Sequence, residues 1–375
     1  MSAGAIVDVR WHALRVSPKT VWSFIEIVDG EGRVGTGEAT LGGREPEMAQ
    51  ALRAWRGALV GTVPARFDVG VLRACAATRA EFSVVSALDQ ALRDLAARQD
   101  GVRVVDGLGG PRRERIAMYA NINRGIRERS PAGFAAHARA AVDDGFTAIK
   151  IAPFDGVELY GEPAADADRA RIDAGLARIG AVREAIGADV ELRVDCHWRL
   201  NRDVAQDVLR ATEAQRLYWL ECPVPERPET TGTLRDLRAF ANARGVRLAG
   251  CEEMSLVSGF APFLEAGCYD VMMPDVKYVG GLDEMMRVAD ALHAHGVAFA
   301  PHNPSGPICH AASLHVCAAV PHADRLEMQY AETPLFDELV SHALPRAVAG
   351  AIALPQGPGL GVALDAAAVA RLEMV

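Results

Sequence analysis

Short apolar runs alternate with amphipathic stretches through most of this chain. From residue 116 onward the alternation is regular: apolar runs are separated by stretches such as DEMMRVADALHAHG, whose apolar residues recur every three or four positions. Continuous or alternating apolar runs predict strands, and the longer period predicts helices. Repeated βα units of this length predict a parallel sheet, and about eight of them close into a barrel.

The first 115 residues have a different order. Strand candidates come first, around the turn signal DGEG, and helical patterns such as FSVVSALDQALRDLAARQ follow. Strands followed by helices predict an α+β module, and the glycine-rich segment at 107–115 marks its end. We therefore expect an α/β fold with an α+β domain at 1–115, completed by the C-terminal segment at about 340–375, and a barrel at 116–339. The short strand and turn at PQGPGLG has no obvious partner in the barrel.

Composition and charge narrow the classes of function. The chain has 375 residues, half of them hydrophobic, and a net charge of -9, which does not suit a nucleic-acid partner. No apolar run reaches the length of a membrane span, and the N-terminus does not resemble a signal peptide, so we expect a cytoplasmic protein without a membrane partner. The seven scattered cysteines are expected to be reduced. Cys196, Cys222 and Cys251 each adjoin an acidic residue at a strand end, and on a strand they would face the opposite way from that neighbour.

Acidic or imidazole side chains end six successive apolar runs. They are Asp195, Glu221, Glu252, Asp275, His302 and Glu327, at intervals of 26, 31, 23, 27 and 25 residues. Each interval matches one βα unit, and barrel enzymes carry their functional groups at the C-terminal ends of the strands. The pattern therefore predicts a single site. An acidic residue after one strand is also a common helix cap, so no single position would indicate a site.

Asp195, Glu221 and Glu252 end three successive strands, which a closed barrel would bring side by side. Unpaired carboxylates would repel one another, whereas a hard divalent cation satisfies all three, and Mg²⁺ suits such oxygen ligands. Two alternatives stay open: the three residues are separate helix caps, or Glu253 replaces Glu252 as the ligand.

Asp275 and His302 end the next two strands and are candidates for a catalytic dyad. A carboxylate that accepts from one imidazole nitrogen fixes the tautomer and raises the basicity of the other nitrogen. A helix-capping Asp beside an ordinary loop His is the alternative. Glu327 is expected to hydrogen-bond a substrate oxygen in its protonated form, or else to form an ion pair with Arg325.

Two further positions carry candidate chemistry. Lys150 and Ala152 share one face of the predicted strand FTAIKIA, so Lys150 would direct a cation toward the site and Ala152 would contribute no ionisable group. His197 follows Asp195 by two residues, just past the strand end, where it can reach a substrate.

Longer motifs along the chain resemble those of the enolase superfamily, specifically its mandelate racemase group. They are GRVGTGEAT, SALDQALRDLAARQ, GLGG, DVMMPDVKYVGG, APHNPSGP and PQGPGLGVALD. The resemblance implies a modified (β/α)₇β TIM barrel with an α+β capping domain, assembled as a homo-oligomer. It also implies one Mg²⁺ per subunit at Asp195, Glu221 and Glu252, a His302–Asp275 dyad, and abstraction of the proton α to the carboxylate of a small substrate, which gives a metal-stabilised enediolate.

One departure from the group bears on the reaction. Its racemases have a K-x-K pattern on the second barrel strand, with the second Lys as the base opposite the His. This chain has Lys150 and then Ala152, so that base is missing. The spacing of Asp195 and His197 instead resembles the acid-sugar (galactonate-type) dehydratases, in which this His protonates a leaving β-hydroxyl.

The resemblance to these dehydratases implies a set of roles. Mg²⁺ and Lys150 would hold the substrate carboxylate, His302 would remove the α-proton, His197 would assist departure of the 3-hydroxyl, and Glu327 would hydrogen-bond the enediolate. The product would be a 2-keto-3-deoxy sugar acid. A racemase or epimerase that uses both histidines is the alternative, and a catalytically silent binding protein is a third hypothesis.

Substrate recognition is expected in the loops around the site. In the capping domain these are the segments at 15–20, with Arg15, and at 42–45. In the barrel they are Asn121, Asn123 and Arg124, after the first strand. The sequence does not identify the sugar acid.

Overall fold

The computed structural model describes residues 4–372, and their architecture confirms the predicted α/β fold with a capping domain and a (β/α)₇β barrel. The strands of the cap are β1 (Ile6–Arg15), β2 (Val21–Asp29) and β3 (Val34–Glu38), and its helices are α1 (Glu45–Leu59), α2 (Gly70–Arg73), α3 (Arg79–Asp100) and α4 (Val104–Gly107). The three strands form one antiparallel sheet in the order β1-β2-β3, which packs on α3.

The barrel alternates strands with helices as the sequence pattern predicts. Its strands are β4 (Arg115–Asn121), β5 (Ala148–Ile151), β6 (Glu191–Asp195), β7 (Trp219–Glu221), β8 (Arg247–Gly250), β9 (Val271–Met272), β10 (Ala298–Phe299) and β11 (Leu326–Gln329). Its helices are α5 (Pro131–Asp143), α6 (Asp166–Ile186), α7 (Arg202–Ala211), α8 (Thr231–Asn242), α9 (Leu256–Glu265), α10 (Leu282–Ala294) and α11 (Pro307–Ala319).

The eight barrel strands are parallel, in the order β10-β9-β8-β7-β6-β5-β4-β11. Backbone hydrogen bonds join the two ends of this sheet: Asp324 N donates to Phe299 O (2.9 Å) and Glu327 N to Pro301 O (3.3 Å). Closure of the sheet brings the C-terminal ends of all eight strands around one axis.

The C-terminal tail contacts both parts of the molecule. It holds α12 (Leu335–Glu338), β12 (Ala351–Ala353) and α13 (Ala366–Leu372). β12, which lies just before PQGPGLG, pairs antiparallel with β4 of the barrel. The PQGPGLG segment itself contacts the cap, where Val104 N donates to Gly359 O (2.9 Å). Further along, Leu360 N donates to Asp94 Oδ1 on α3 (2.7 Å). The exact division of the chain at residues 115 and 340 stays a prediction.

The GRVGTGEAT motif allows the cap sheet to approach α3 closely. A Cβ atom on Gly35 would lie 2.2 Å from Ala91 O, and one on Gly37 would lie 1.9 Å from Ala87 O. Any side chain at these two positions would therefore force the sheet away from the helix. At the other end of β3, the buried carboxylate of Glu38 accepts from Gly306 N (2.8 Å) and Cys309 N (2.9 Å).

This contact places a carboxylate at the N-terminus of α11, where the helix dipole favours negative charge. Burial nevertheless raises the pKa of Glu38. The cap is thus joined to the barrel directly beside the loop that carries His302. Among residues 4–372, no helix is long and apolar enough to cross a bilayer. All seven cysteines are free thiols, and only Cys75 is exposed.

His315 connects three segments from within α11. Its Nδ1 accepts a hydrogen bond from Val105 N (3.1 Å) and its Nε2 lies 3.2 Å from Leu360 O, so the neutral ring satisfies both neighbours. Burial lowers the pKa of His315 to about 4. Because histidine in an unfolded chain titrates near pH 6.5, the unfolded state takes up this proton first, and stability declines as the pH falls from about 6.5 to 4.

We predict that His315→Asn lowers the free energy of unfolding most at pH 7 to 8 and progressively less toward pH 4. The difference between the two pH values should approach about 3 kcal/mol, since one pKa unit corresponds to about 1.4 kcal/mol. Denaturant unfolding across this pH range measures it, with the exposed His295→Gln as the control. A destabilisation by His315→Asn that is constant with pH would contradict the assignment.

Candidate active site

The structure brings the six predicted strand-end residues to the same end of the barrel. Asp195 and Glu221 are the last residues of β6 and β7 and are register partners. Glu252, Asp275 and His302 follow β8, β9 and β10 within three residues, and Glu327 lies in β11. The C-terminal ends of the strands therefore carry the candidate chemistry, as in other barrels of this kind.

Asp195, Glu221 and Glu252 form a buried acidic triad. One carboxylate oxygen from each lies within 4.8 Å of the others. Burial and the charges of Asp195 and Glu221 raise the pKa of Glu252 well above its usual range, and its Oε2 has no hydrogen-bond partner among the described residues. A hard divalent cation between the three side chains would offset their negative charges and give Glu252 Oε2 a partner. The donor set therefore fits such an ion. Glu253 instead forms an ion pair with Arg79.

The backbone beside the triad adopts left-handed conformations that are uncommon outside glycine. His197 and Trp198, just after Asp195, have φ of 47° and 59°. Cys222, after Glu221, has φ of 44°, and Cys251, before Glu252, has φ of 66°. Such conformations persist only where the surrounding structure holds them, and they cluster at functional sites.

Glu226 supports two of these turns. Its half-buried carboxylate accepts from Cys251 N (2.6 Å), Trp198 Nε1 (2.9 Å) and Tyr269 Oη (2.7 Å). It therefore ties the segment after β6 to the segment that precedes Glu252. Sequence reasoning missed Glu226, because it lies in a loop rather than at a strand end.

His302 and Asp275 form the predicted pair. Their Nδ1 and Oδ2 atoms are 2.7 Å apart, and His302 Nε2 lies 3.6 Å from Glu252 Oε1. Burial lowers the pKa of His302, although Glu327 and Asp275 act in the opposite direction, so the ring is neutral at neutral pH. A neutral imidazole with its Nδ1 held by a carboxylate can accept a proton at Nε2.

Lys277 adds a cation to this pair. Its Nζ donates to Asp275 Oδ2 (2.6 Å) and to Ser305 Oγ (2.7 Å). The sequence contained a signal for this residue, since Lys277 is two positions after Asp275, but the predicted site included only the residue at the strand end. Burial raises the pKa of Asp275, but the charge of Lys277 and the bond to His302 outweigh it and keep Asp275 ionised.

His197 contacts the triad from the side of the cavity. Its Nε2 lies 2.8 Å from Asp195 Oδ2, and 43% of its side chain is exposed. Burial lowers the pKa of His197, but the charge of Asp195 and their hydrogen bond raise it further, so the net shift is upward. The pKa values of His197 and His302 thus move in opposite directions, which is the pattern of an acid and a base in one site.

Lys150 is fully buried beneath the triad. Its Nζ lies 2.6 Å from Glu221 Oε1 and 2.9 Å from Glu327 Oε1. Burial raises the pKa of Glu327, but the charges of Lys150 and His302 outweigh it and lower the pKa. This environment favours the ionised carboxylate, in contrast to the protonated form expected from the sequence. Arg325 does not pair with Glu327; it pairs with Glu191 at 3.2 Å.

A cavity of about 1200 Å³ opens above these groups, between the cap and the barrel. Asp195, His197, Lys277 and His302 lie in its wall, with the cap segments 17–21 and 40–42 opposite. These segments overlap the two cap loops in which substrate recognition is expected from the sequence.

The predicted recognition residues divide into two groups. Asn123 and Arg124 line the cavity, whereas Asn121 and Arg15 do not. Asn121 is buried and donates through Nδ2 to Glu327 Oε1 (2.6 Å), so it positions that carboxylate. Arg15 is exposed at the end of β1, and Lys19 is the cation that this part of the cap presents to the cavity.

The expectation that three cysteines face away from the site needs one correction. Cys196 lines the cavity, while Cys222 and Cys251 are buried outside its lining. The alternation of strand side chains does not extend past Asp195, because the chain turns there into the left-handed conformation of His197.

Comparison with known proteins places this geometry in a family. Residues 133–368 match the family described as enolase C-terminal domain-like, and residues 5–109 match the mandelate racemase / muconate lactonizing enzyme N-terminal domain. The chain belongs to the mandelate racemase/muconate lactonizing enzyme family of the enolase superfamily. The resemblance inferred from the motifs is therefore confirmed.

Several known proteins are similar to nearly the whole chain. A D-galactonate dehydratase from Variovorax paradoxus is 32% identical over 95% of this chain and 91% of its own length. A D-gluconate dehydratase from Thermoproteus tenax is 29% identical over 96% and 69%. The crystal structure of a mandelate racemase/muconate lactonizing enzyme-like protein from Rubrobacter xylanophilus has a TM-score of 0.88 and 29% identity, covering 100% of this chain and 98% of its own.

Two adjacent glutamates allow a matched test of the cation site. Adding a divalent cation to chelator-treated protein should raise its melting temperature by a few degrees, because a ligand that binds only the folded state stabilises it. We predict that Glu252→Gln removes most of this rise and that Glu253→Gln retains it. Equal increases in the two variants, measured by calorimetry, would exclude Glu252 as a ligand.

Proposed function

We propose that this protein is a Mg²⁺-dependent sugar acid dehydratase, a hydro-lyase. It removes the proton α to a carboxylate and eliminates the β-hydroxyl, which gives a 2-keto-3-deoxy acid. The observation that carries the proposal is the pair of cavity-lining histidines, one bonded to Asp275 and the other to Asp195, whose pKa values shift in opposite directions. Relatives named as D-galactonate and D-gluconate dehydratases, similar over nearly the whole chain, support it.

His302 acts first, as the general base. Its neutral Nε2 accepts the α-proton, and the electrons of the C–H bond move toward the carboxylate to give an enediolate. Asp275 then stabilises the imidazolium through its bond to Nδ1. When bound at the triad, Mg²⁺ supplies positive charge that offsets the charge of the enediolate. Lys150 contributes a second positive charge from beneath the triad.

His197 completes the elimination as the general acid. It gives a proton to the β-hydroxyl, the C–O bond breaks, and water leaves. The resulting enol takes up a proton to become the 2-keto acid. Ala152 places no ionisable group where a racemase of this family has its second base, so proton return to the opposite face would depend on His197 alone.

A panel of sugar acids with Mg²⁺ in D₂O tests the proposed reaction against the racemase alternative. A dehydratase accumulates a keto acid that semicarbazide traps. A racemase or epimerase returns deuterated substrate of inverted configuration without keto acid. Deuterated, inverted substrate as the sole product would contradict the proposal.

The roles of the two histidines predict different defects. His302→Asn should lower keto-acid formation and exchange of the α-proton together, by about 100-fold or more, because both need the base. His197→Asn should lower keto-acid formation to a similar degree while the α-proton still exchanges with solvent, because the base remains. Nuclear magnetic resonance of recovered substrate measures the exchange, and the exposed His295→Gln serves as control. Equal loss of both signals in His197→Asn would show that His197 is not the acid.

A further inference from the structure

The net charge of the side chains in the cavity wall has the opposite sign to the net charge of the whole chain. The chain carries a net charge of -9. The cavity wall, in contrast, has more cations than anions. Its Lys and Arg residues are Lys19, Arg124, Arg127, Arg129, Arg199 and Lys277, and its Asp and Glu residues are Asp155, Asp195 and Glu332. A cavity lined by one sign of charge concentrates ligands of the opposite sign.

Half of these cations are already neutralised by the protein. The pairs are Arg124 with Glu332 (3.2 Å), Arg129 with Asp155 (2.5 Å) and Lys277 with Asp275 (2.6 Å). The other three, Lys19, Arg127 and Arg199, have no carboxylate within 4.0 Å among residues 4–372. Arg199 donates to Val157 O (2.9 Å), which leaves Lys19 and Arg127 as the two cations of the wall whose side chains have no hydrogen-bond or ion-pair partner among the described residues.

Lys19 and Arg127 belong to different parts of the molecule. Lys19 lies in the turn between β1 and β2 of the cap, and Arg127 lies in the loop after β4 of the barrel. Both are exposed, whereas Asp195 of the triad, which lines the same cavity, is buried, and the His302 side chain is 12% exposed. The two cations without a partner, Lys19 and Arg127, therefore lie at the mouth of the cavity, where the cap meets the barrel.

The size of the cavity leaves room for a ligand group at this mouth. Its volume of about 1200 Å³ exceeds the range of about 300 to 1000 Å³ that is typical of small-molecule sites. A sugar acid whose α-carboxylate lies at the triad would extend its far end toward Lys19 and Arg127.

We infer that the substrate carries a second anionic group at the end remote from the reacting carboxylate, and that Lys19 and Arg127 bind it. The group is a carboxylate, as in a sugar diacid, or a phosphate, as in a phosphorylated sugar acid. This inference rests on the proposed function and narrows its substrate class. The names of the two dehydratases compared above specify acids with one carboxylate. The substrate inferred for this chain differs from those acids by its second anionic group.

Matched substrates test the inference directly. Each sugar skeleton is assayed as the monoacid, the diacid and the 6-phosphorylated monoacid: galactonate, galactarate and 6-phosphogalactonate, and the gluconate series likewise. We expect one dianionic form to exceed its monoacid by about tenfold or more in kcat/KM, with a steeper decrease as salt rises. Which dianion is preferred distinguishes carboxylate from phosphate.

Substitution at the mouth supplies the second measurement. In the double variant Lys19→Ala with Arg127→Ala, the preference for the dianion over the monoacid should fall about tenfold, mainly through KM. The matched control is Arg15→Ala, an exposed arginine of the same cap segment that does not line the cavity, which should keep the full preference.

These assays distinguish a failure of the inferred second anionic group from a failure of the proposed dehydratase function. Keto acid formed preferentially from a monoacid, or a dianion preference that survives the double variant, overturns the inference and leaves the proposed dehydratase function in place. No keto acid from any member of either series overturns both.

Discussion

The carboxylates of Asp195, Glu221 and Glu252 share one buried point, and this concentration of like charge is the constraint on which the site depends. Lys150 compensates part of this negative charge by forming ion pairs with Glu221 and Glu327. One oxygen of Glu252 remains without a partner among the described residues, and its pKa is raised accordingly. Burying like charges is unfavourable unless a counter-charge accompanies them, so a cation bound between these carboxylates would stabilise the folded barrel.

The surrounding structure holds this arrangement in place against its own repulsion. Parallel register aligns Asp195 with Glu221, and the left-handed turns beside them direct His197 and Glu252 toward the same point. Glu226 fixes two of these turns by hydrogen bonds. The cap is anchored beside the site through Glu38 at the N-terminus of α11. A strained and highly charged centre is thus supported by hydrogen bonds from the neighbouring loops and from the cap.

Periodicity in the sequence accounts for most of the fold and for the centre of the site. Strands that end at intervals of one βα unit must bring their last residues together, so the triad and the His302–Asp275 pair are predictable from the sequence alone. The order of strands and helices in the first 115 residues predicts the α+β module, and the family motifs identify it as a cap. What periodicity does not encode is loop geometry: Lys19 rather than Arg15 faces the cavity, and Glu226 supports the turns from within a loop. The environment that favours ionised Glu327 was not predicted either, since it depends on a buried Lys150 two strands away in the closed sheet.

Crystals grown with Mn²⁺ give the most direct test of a cation at the triad, because the anomalous scattering of the ion locates it without reference to activity. We expect a single strong anomalous peak per chain, within coordination distance of oxygens from Asp195, Glu221 and Glu252. A peak at another cluster, or none at this triad at saturating Mn²⁺, would contradict the assignment of these three carboxylates as the metal ligands.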